Sequence, residues 1–139
     1  MQNHNEKPSG AELLGCLSAT YFIDSEEPAV KEFAETKAGQ GTELERGVRL
    51  YYAVRDSIRY DPYGIGLSPE EYRASLCLRK QTGFCITKAA LLAACARSIG
   101  IPSRVGYGDV RNHLATPKLL ALLGTDEFVF HGYTELFLE

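Results

Sequence analysis

The chain has no tryptophan, one methionine and only three histidines, so any imidazole chemistry rests on very few residues. No apolar run approaches the roughly 20 residues that a membrane-spanning helix needs; the longest, Ala89 to Ala96, is far shorter. The opening MQNHNEKPSG is polar and lacks the apolar region of a signal peptide. Neither charge sign dominates: 15 Lys and Arg stand against 18 Asp and Glu, net −3, which gives no case for nucleic acid or an anionic membrane surface. There is no CxxC, and Cys77, Cys85 and Cys95 lack zinc-ligand spacing. No acidic loop of EF-hand type occurs either, so no metal or cofactor is expected, although calcium is left open. Four cysteines without any sign of export read as reduced thiols, and the expected location is cytoplasmic. Repeats, low complexity and an internal domain boundary are also lacking.

What is present is an ordinary globular composition, 45% hydrophobic and 24% charged over 139 residues, enough for a single core. Residues 1–12 read as a disordered lead and 13–139 as one domain. Thr20 to Ile23 is a short extended candidate. Asp24 and Ser25 offer caps for a helix with Pro28 in its first turn, running to about Lys37 with Val30, Phe33 and Ala34 inward. Thr42 with Glu45 forms a capping box for a second helix. There the spacing predicts Leu44, Val48, Tyr51 and Ile58 inward and Arg46, Arg49, Arg55 and Arg59 on the wetter face. Tyr60 to Gly64 is turn chemistry, and the segment to Thr82 reads as mostly irregular, with a short helical turn at Pro69 to Arg73.

The centre is Gly83 to Pro102, GFCITKAALLAACARSIGIP. Apolar residues surround this helix on nearly every side, the pattern of a buried helix, and Gly100 with Pro102 ends it. Cys85 falls in its first turn, where unpaired backbone N–H groups and the helix dipole favour a thiolate. Beyond it, Ser103 to Val110 reads as a strand, Thr116 and Pro117 open a short helix closed by Gly124, and Glu127 to Leu138 is a β-prone run carrying His131. A free cysteine commonly packs as a small hydrophobe, and that reading suits Cys16 and Cys95; Cys77 is ambiguous. Cys85 differs by standing at a helix start with a histidine strand downstream, and a Cys–His pair supplies both a nucleophile and a proton carrier. His4 lies in the polar tail. His113 either braces its loop or lines a cleft.

GFC before an alanine-rich helix, then GIPSRVGYGD, then FHGYTELFLE, resembles the transglutaminase-like superfamily of papain-like cysteine enzymes, over roughly residues 42–139. More narrowly it resembles the bacterial transglutaminase-like cysteine proteases. The resemblance implies an α+β fold, with helices including the Cys85 helix packed on an antiparallel sheet of 103–110 and 127–138. It implies Cys85 as nucleophile and His131 as base and acid, with Gln81, Phe84 and His113 as candidate oxyanion or cleft residues. In the family a third polar residue follows on the strand after the histidine strand, and the sequence stops short of one, so a C-terminal truncation is expected. Glu135 lies too far along the strand and Asp126 has the opposite parity; Asp109 on the facing strand is a candidate orienting acid if the register suits, the alternatives being a Cys–His dyad, a truncated domain or a site completed by another chain. The implied activity is thiol-dependent acyl transfer on a peptide or protein amide, by hydrolysis or transfer to an amine. The alternative is a non-catalytic interaction module. The apolar 127–138 strand is expected to pair two copies of the chain.

Overall fold

The computed structural model describes residues 7–111 and 113–139, excepting the side chains of residues 128 and 129. The beginning of the expected lead, with His4, lies outside the described residues. Its end is not disordered: Ser9 and Glu12 form a capping box that starts a short helix, α1, Gly10–Gly15. Next come α2, Pro28–Ala38, and α3, Glu43–Ser57. A two-residue strand β1, Arg59–Tyr60, a 3-10 turn at Pro69–Tyr72 and α4, Ala74–Lys80, lead to β2, Thr82–Gly83. The central helix α5 is Cys85–Ser98, followed by β3, Ser103–Arg111, α6, Pro117–Leu123, and β4, Glu127–Leu136. Strands β3 and β4 pair antiparallel, and β1 pairs with β2 in parallel.

α5 is the hub. Helices α2, α3 and α4 pack on one side of it and the β3–β4 sheet on the other. Ala89, Leu91, Ala93, Ala94, Cys95 and Ala96 are all buried, so the helix is wrapped as its all-round apolar pattern predicts. Small side chains on α5 let the surrounding layers come close. The fold is the expected α+β arrangement.

Five local expectations need correction. Residues 20–23 form no strand, and 21–23 are bends. The segment before Thr82 holds a true helix, α4, whose first turn is capped from afar: the Ser75 N–H donates to Asp24 Oδ1 at 2.9 Å. Asp24 is thereby spent on α4, while α2 has Glu27 at its N-cap and no side-chain cap bond. In α3 the phase differs from the prediction except at Ile58, which is buried as expected. Leu50 and Val54 are 0 and 4% exposed, whereas Leu44, Val48 and Tyr51 are 55, 44 and 49% exposed. The cause is Gly47, where Leu136 and Leu138 settle against the bare backbone: a Cβ there would lie 3.3 Å from Leu136 Cδ1. Arg49 is also no idle surface charge, because its guanidinium donates to Ala38 O and Gln40 O and closes the end of α2.

Arg97 is buried among these layers. It donates through Nε and Nη2 to Ser103 O at 3.1 and 2.7 Å and through Nη1 to Ser18 O at 2.6 Å. Burial pushes its proton affinity down. With the Ser103 N–H donating to Cys16 O, it fixes the segment before α2 against the start of β3.

Candidate active site

Cys85 opens α5. Phe84 has no side-chain acceptor to cap the helix, and Thr87 supplies one: the Phe84 N–H donates to Thr87 Oγ1 at 3.0 Å. Gly83 is required here, because a Cβ would fall 2.5 Å from Thr87 Oγ1 and 2.8 Å from Cys77 Sγ. The approach to Cys85 is fixed from the far side as well. Tyr60 pairs with Gly83 across β1–β2, and the Asp61 N–H donates to Gly83 O at 2.8 Å. Lys88, one turn into α5, donates its ammonium to Ile58 O at 2.7 Å, binding the helix start to the end of α3.

β4 is held onto the same end of α5. Gly132 sits so close that a Cβ would lie 3.0 Å from Ile86 Cα and 3.2 Å from Ile86 N. Further along, Thr134 Oγ1 donates to Ala89 O at 2.8 Å. The neighbour of His131 is therefore packed against the neighbour of Cys85. Both side chains line one cleft of about 340 Å³, whose other walls include Tyr60, Arg55, Lys88 and Tyr133.

Just before His131 the ladder is irregular. Gly108 pairs with His131 and Val110 with Phe128, so one β3 residue, Asp109, faces two on β4. Phe130 takes a left-handed backbone, φ +53°, rare for an aromatic residue. Asp109 Oδ1 accepts the Phe130 N–H at 3.1 Å. Among the described residues, the carboxylate offered as an orienting acid thus bonds the backbone of the bulge rather than the imidazole.

The remaining candidates lie elsewhere. Gln81 is the left-handed cap of α4, φ 56°, and its amide donates to Leu78 O at 2.7 Å, turned to its own helix. Phe84 packs edge-on to Tyr72, ring centroids 5.9 Å apart. His113 is exposed in the turn between β3 and α6. Cys77 and Cys95 are buried, and burial pushes both thiols up, Cys95 to about 12. The sequence reading missed Tyr60, taken as part of a turn. Burial, with Cys85 beside it, pushes its phenol up, and the residue lines the cleft. No local motif could have marked it, because the β1–β2 bridge that brings it to Cys85 joins segments far apart in sequence. Among the described residues no group of three or more His, Cys, Asp or Glu could hold a metal ion, and no helix is long and apolar enough to cross a membrane.

A helix-start cysteine and a strand histidine sharing one cleft fit the comparisons with known proteins. The profile of the transglutaminase-like superfamily matches residues 31–139, and the chain belongs to that superfamily. Comparison with curated proteins returns no match. Among solved structures it is similar to one titled a "Putative Cysteine Protease" from Cytophaga hutchinsonii, with TM-score 0.71 and 16% identity, covering 95% of this chain and 40% of that one. A "Putative Protease" from Parabacteroides distasonis is matched at TM-score 0.48 and 24% identity, over 76% of this chain and 20% of that one. The chain thus spans well under half the length of either structure, and the first likeness speaks for the fold.

Proposed function

We propose that this domain cleaves amide bonds by thiol acyl transfer, with Cys85 as nucleophile and His131 as proton carrier. The observation that carries the proposal is the shared cleft, with Gly132 packed on Ile86 to lock the two segments together. The Cys85 thiol gives its proton to His131 and its sulfur attacks the amide carbon; a C–S bond forms and the carbonyl pair moves onto oxygen. The Cys85 backbone N–H, unpaired at the helix start, and the Tyr60 phenol are the donors offered to that oxyanion. Collapse breaks the C–N bond as His131 gives its proton to the departing nitrogen. Water, giving a proton back to His131, then cleaves the thioester to a carboxylic acid and frees the thiol. Hydrolysis is favoured over transfer to an amine because the described residues lining the cleft include the cationic Arg55 and Lys88 and no carboxylate that would draw in an amine.

The test is incubation with a mixed peptide library in ¹⁸O-water, read by mass spectrometry. The expected result is cleavage with ¹⁸O in the new carboxyl groups and a quenchable acyl adduct on Cys85, both lost in Cys85→Ala and His131→Ala. Absence of any adduct and of any cleavage with the unaltered chain would overturn the reading.

A further inference from the structure

Cys85 stands between two hollows. On α5, Cys85, Lys88, Ala89 and Leu92 face the cleft shared with His131. Ile86 and Ala90, the next stripe around the helix, face a second cavity of about 390 Å³. Val105 and Tyr107 of β3 form its roof, and Phe22 and Tyr72 its outer wall. All of its described lining residues are uncharged, and its volume lies within the roughly 300–1,000 Å³ of small-ligand sites.

The outer wall is tied down. The Ala74 N–H donates to Phe22 O at 2.8 Å, the Thr20 N–H donates to Ile23 O at 3.0 Å, and Arg97 holds Ser18 O. Arg73 lies over the Tyr21 ring and pairs with Asp24, keeping its charge outside the hollow.

We propose that this cavity receives an aromatic or large aliphatic side chain from the acyl portion of the substrate, so that the domain prefers peptides apolar on that side of the cut bond. This rests on the thiol acyl-transfer reading above and follows from where the proton must go. The group that protonates the departing nitrogen is His131, so the leaving fragment occupies the cleft that His131 lines. The fragment left on sulfur then extends to the other flank of Cys85, and the hollow on that flank begins at Ile86, the residue bonded to Cys85. An apolar side chain there covers Ile86, Ala90 and Val105. A carboxylate or ammonium would lose its water and find no opposite charge.

The test uses peptidyl vinyl sulfones identical except for Phe, Leu, Asp or Lys at the first or second residue from the electrophile. Labelling of Cys85 is followed by peptide mass spectrometry, and each rate is divided by the iodoacetamide rate of the same protein. The Phe and Leu probes are expected to label roughly 10- to 100-fold faster than the Asp and Lys probes at one of the two positions. Val105→Phe, filling the hollow from the strand, and the milder Ala90→Val, filling it from the helix, are each expected to shrink that ratio. Circular dichroism identifies whichever variant remains folded. Rapid iodoacetamide labelling of Cys85 with no apolar preference, or a preference unchanged in a folded variant, overturns the cavity assignment alone. Sluggish labelling of Cys85 by every reagent overturns the acyl-transfer reading, and the cavity assignment falls with it.

Discussion

Cys85 and Cys95 lie ten residues apart on one helix, yet they occupy opposite chemical settings. Cys95 is enclosed by the helical layer, has no exposed surface, and burial holds its thiol near 12. Cys85 is half-buried at the helix start, open to a cleft, with His131, Tyr60 and Lys88 around it. The helix supplies both positions; what separates them is the company brought by other segments. Reactivity here is a property of the layers around α5 rather than of α5 itself.

The contrast should be sharpest in activity. Cys85→Ala is expected to lower amide cleavage by roughly 10⁴-fold or more, whereas Cys95→Ala should leave the rate per folded molecule unchanged. Equal losses in steady-state assays would erase the distinction. Next in size is Tyr60→Phe, which removes the phenol proposed as an oxyanion donor and should cost roughly 10²-fold in kcat with little change in KM. A loss confined to KM would assign Tyr60 to binding instead.

The bulge gives a finer probe of how the Cys85 end is assembled. Asp109→Ala removes the acceptor for the Phe130 N–H and should slow turnover by roughly 10- to 100-fold through a misplaced His131. Asp109→Asn keeps an acceptor oxygen and should retain most activity. Adding Phe130→Gly to Asp109→Ala should restore part of the loss, because glycine holds a positive φ without strain. If Asp109→Asn proves as damaging as Asp109→Ala, the negative charge matters and the backbone role is wrong.

The smallest effect lies at the buried cysteine and is one of stability. The folded Cys95 thiol stays protonated to about 12, while the unfolded one ionises near its ordinary 9.0. Between those values the folded state binds the extra proton, so stability falls as pH rises, by at most about 1.4 kcal/mol per pH unit. Below about pH 9 the term is fully favourable. Denaturant titrations of the native chain and Cys95→Ala should differ in slope against pH only in that alkaline range. Parallel slopes would mean that Cys95 is open to water.

How far this contrast could be read from sequence differs from one segment to the next. The Thr42–Glu45 box, the Thr116 cap and the Gly124 stop are local chemistry; α3 begins, and α6 begins and ends, where those residues dictate. Cys85 at a helix start and His131 on a strand were legible for the same reason. α4 was not, because ASLCLRK carries no cap of its own and borrows Asp24 from 51 residues away. The face of α3 was also hidden, since two apolar stripes compete there. The choice falls to Gly47, which has no hydrophobic signal and is selected by the Leu136 and Leu138 side chains that need its space. Tyr60 and the Asp109 bulge exist only through pairings between distant strands, and no window along the chain contains them.

The order of those pairings has a consequence in time. His131 follows Cys85 by 46 residues, so at usual synthesis rates of roughly 5–20 residues per second the proposed nucleophile is made about 2–9 s before its proposed proton carrier. α5 is local and can form at once, but β4 reaches it only after β3 and α6 have been laid down. A nascent chain therefore carries the thiol without its imidazole, and the two meet only when Gly132 seats against Ile86. On the acyl-transfer reading, the packing step that completes the sheet is also the step that arms the site.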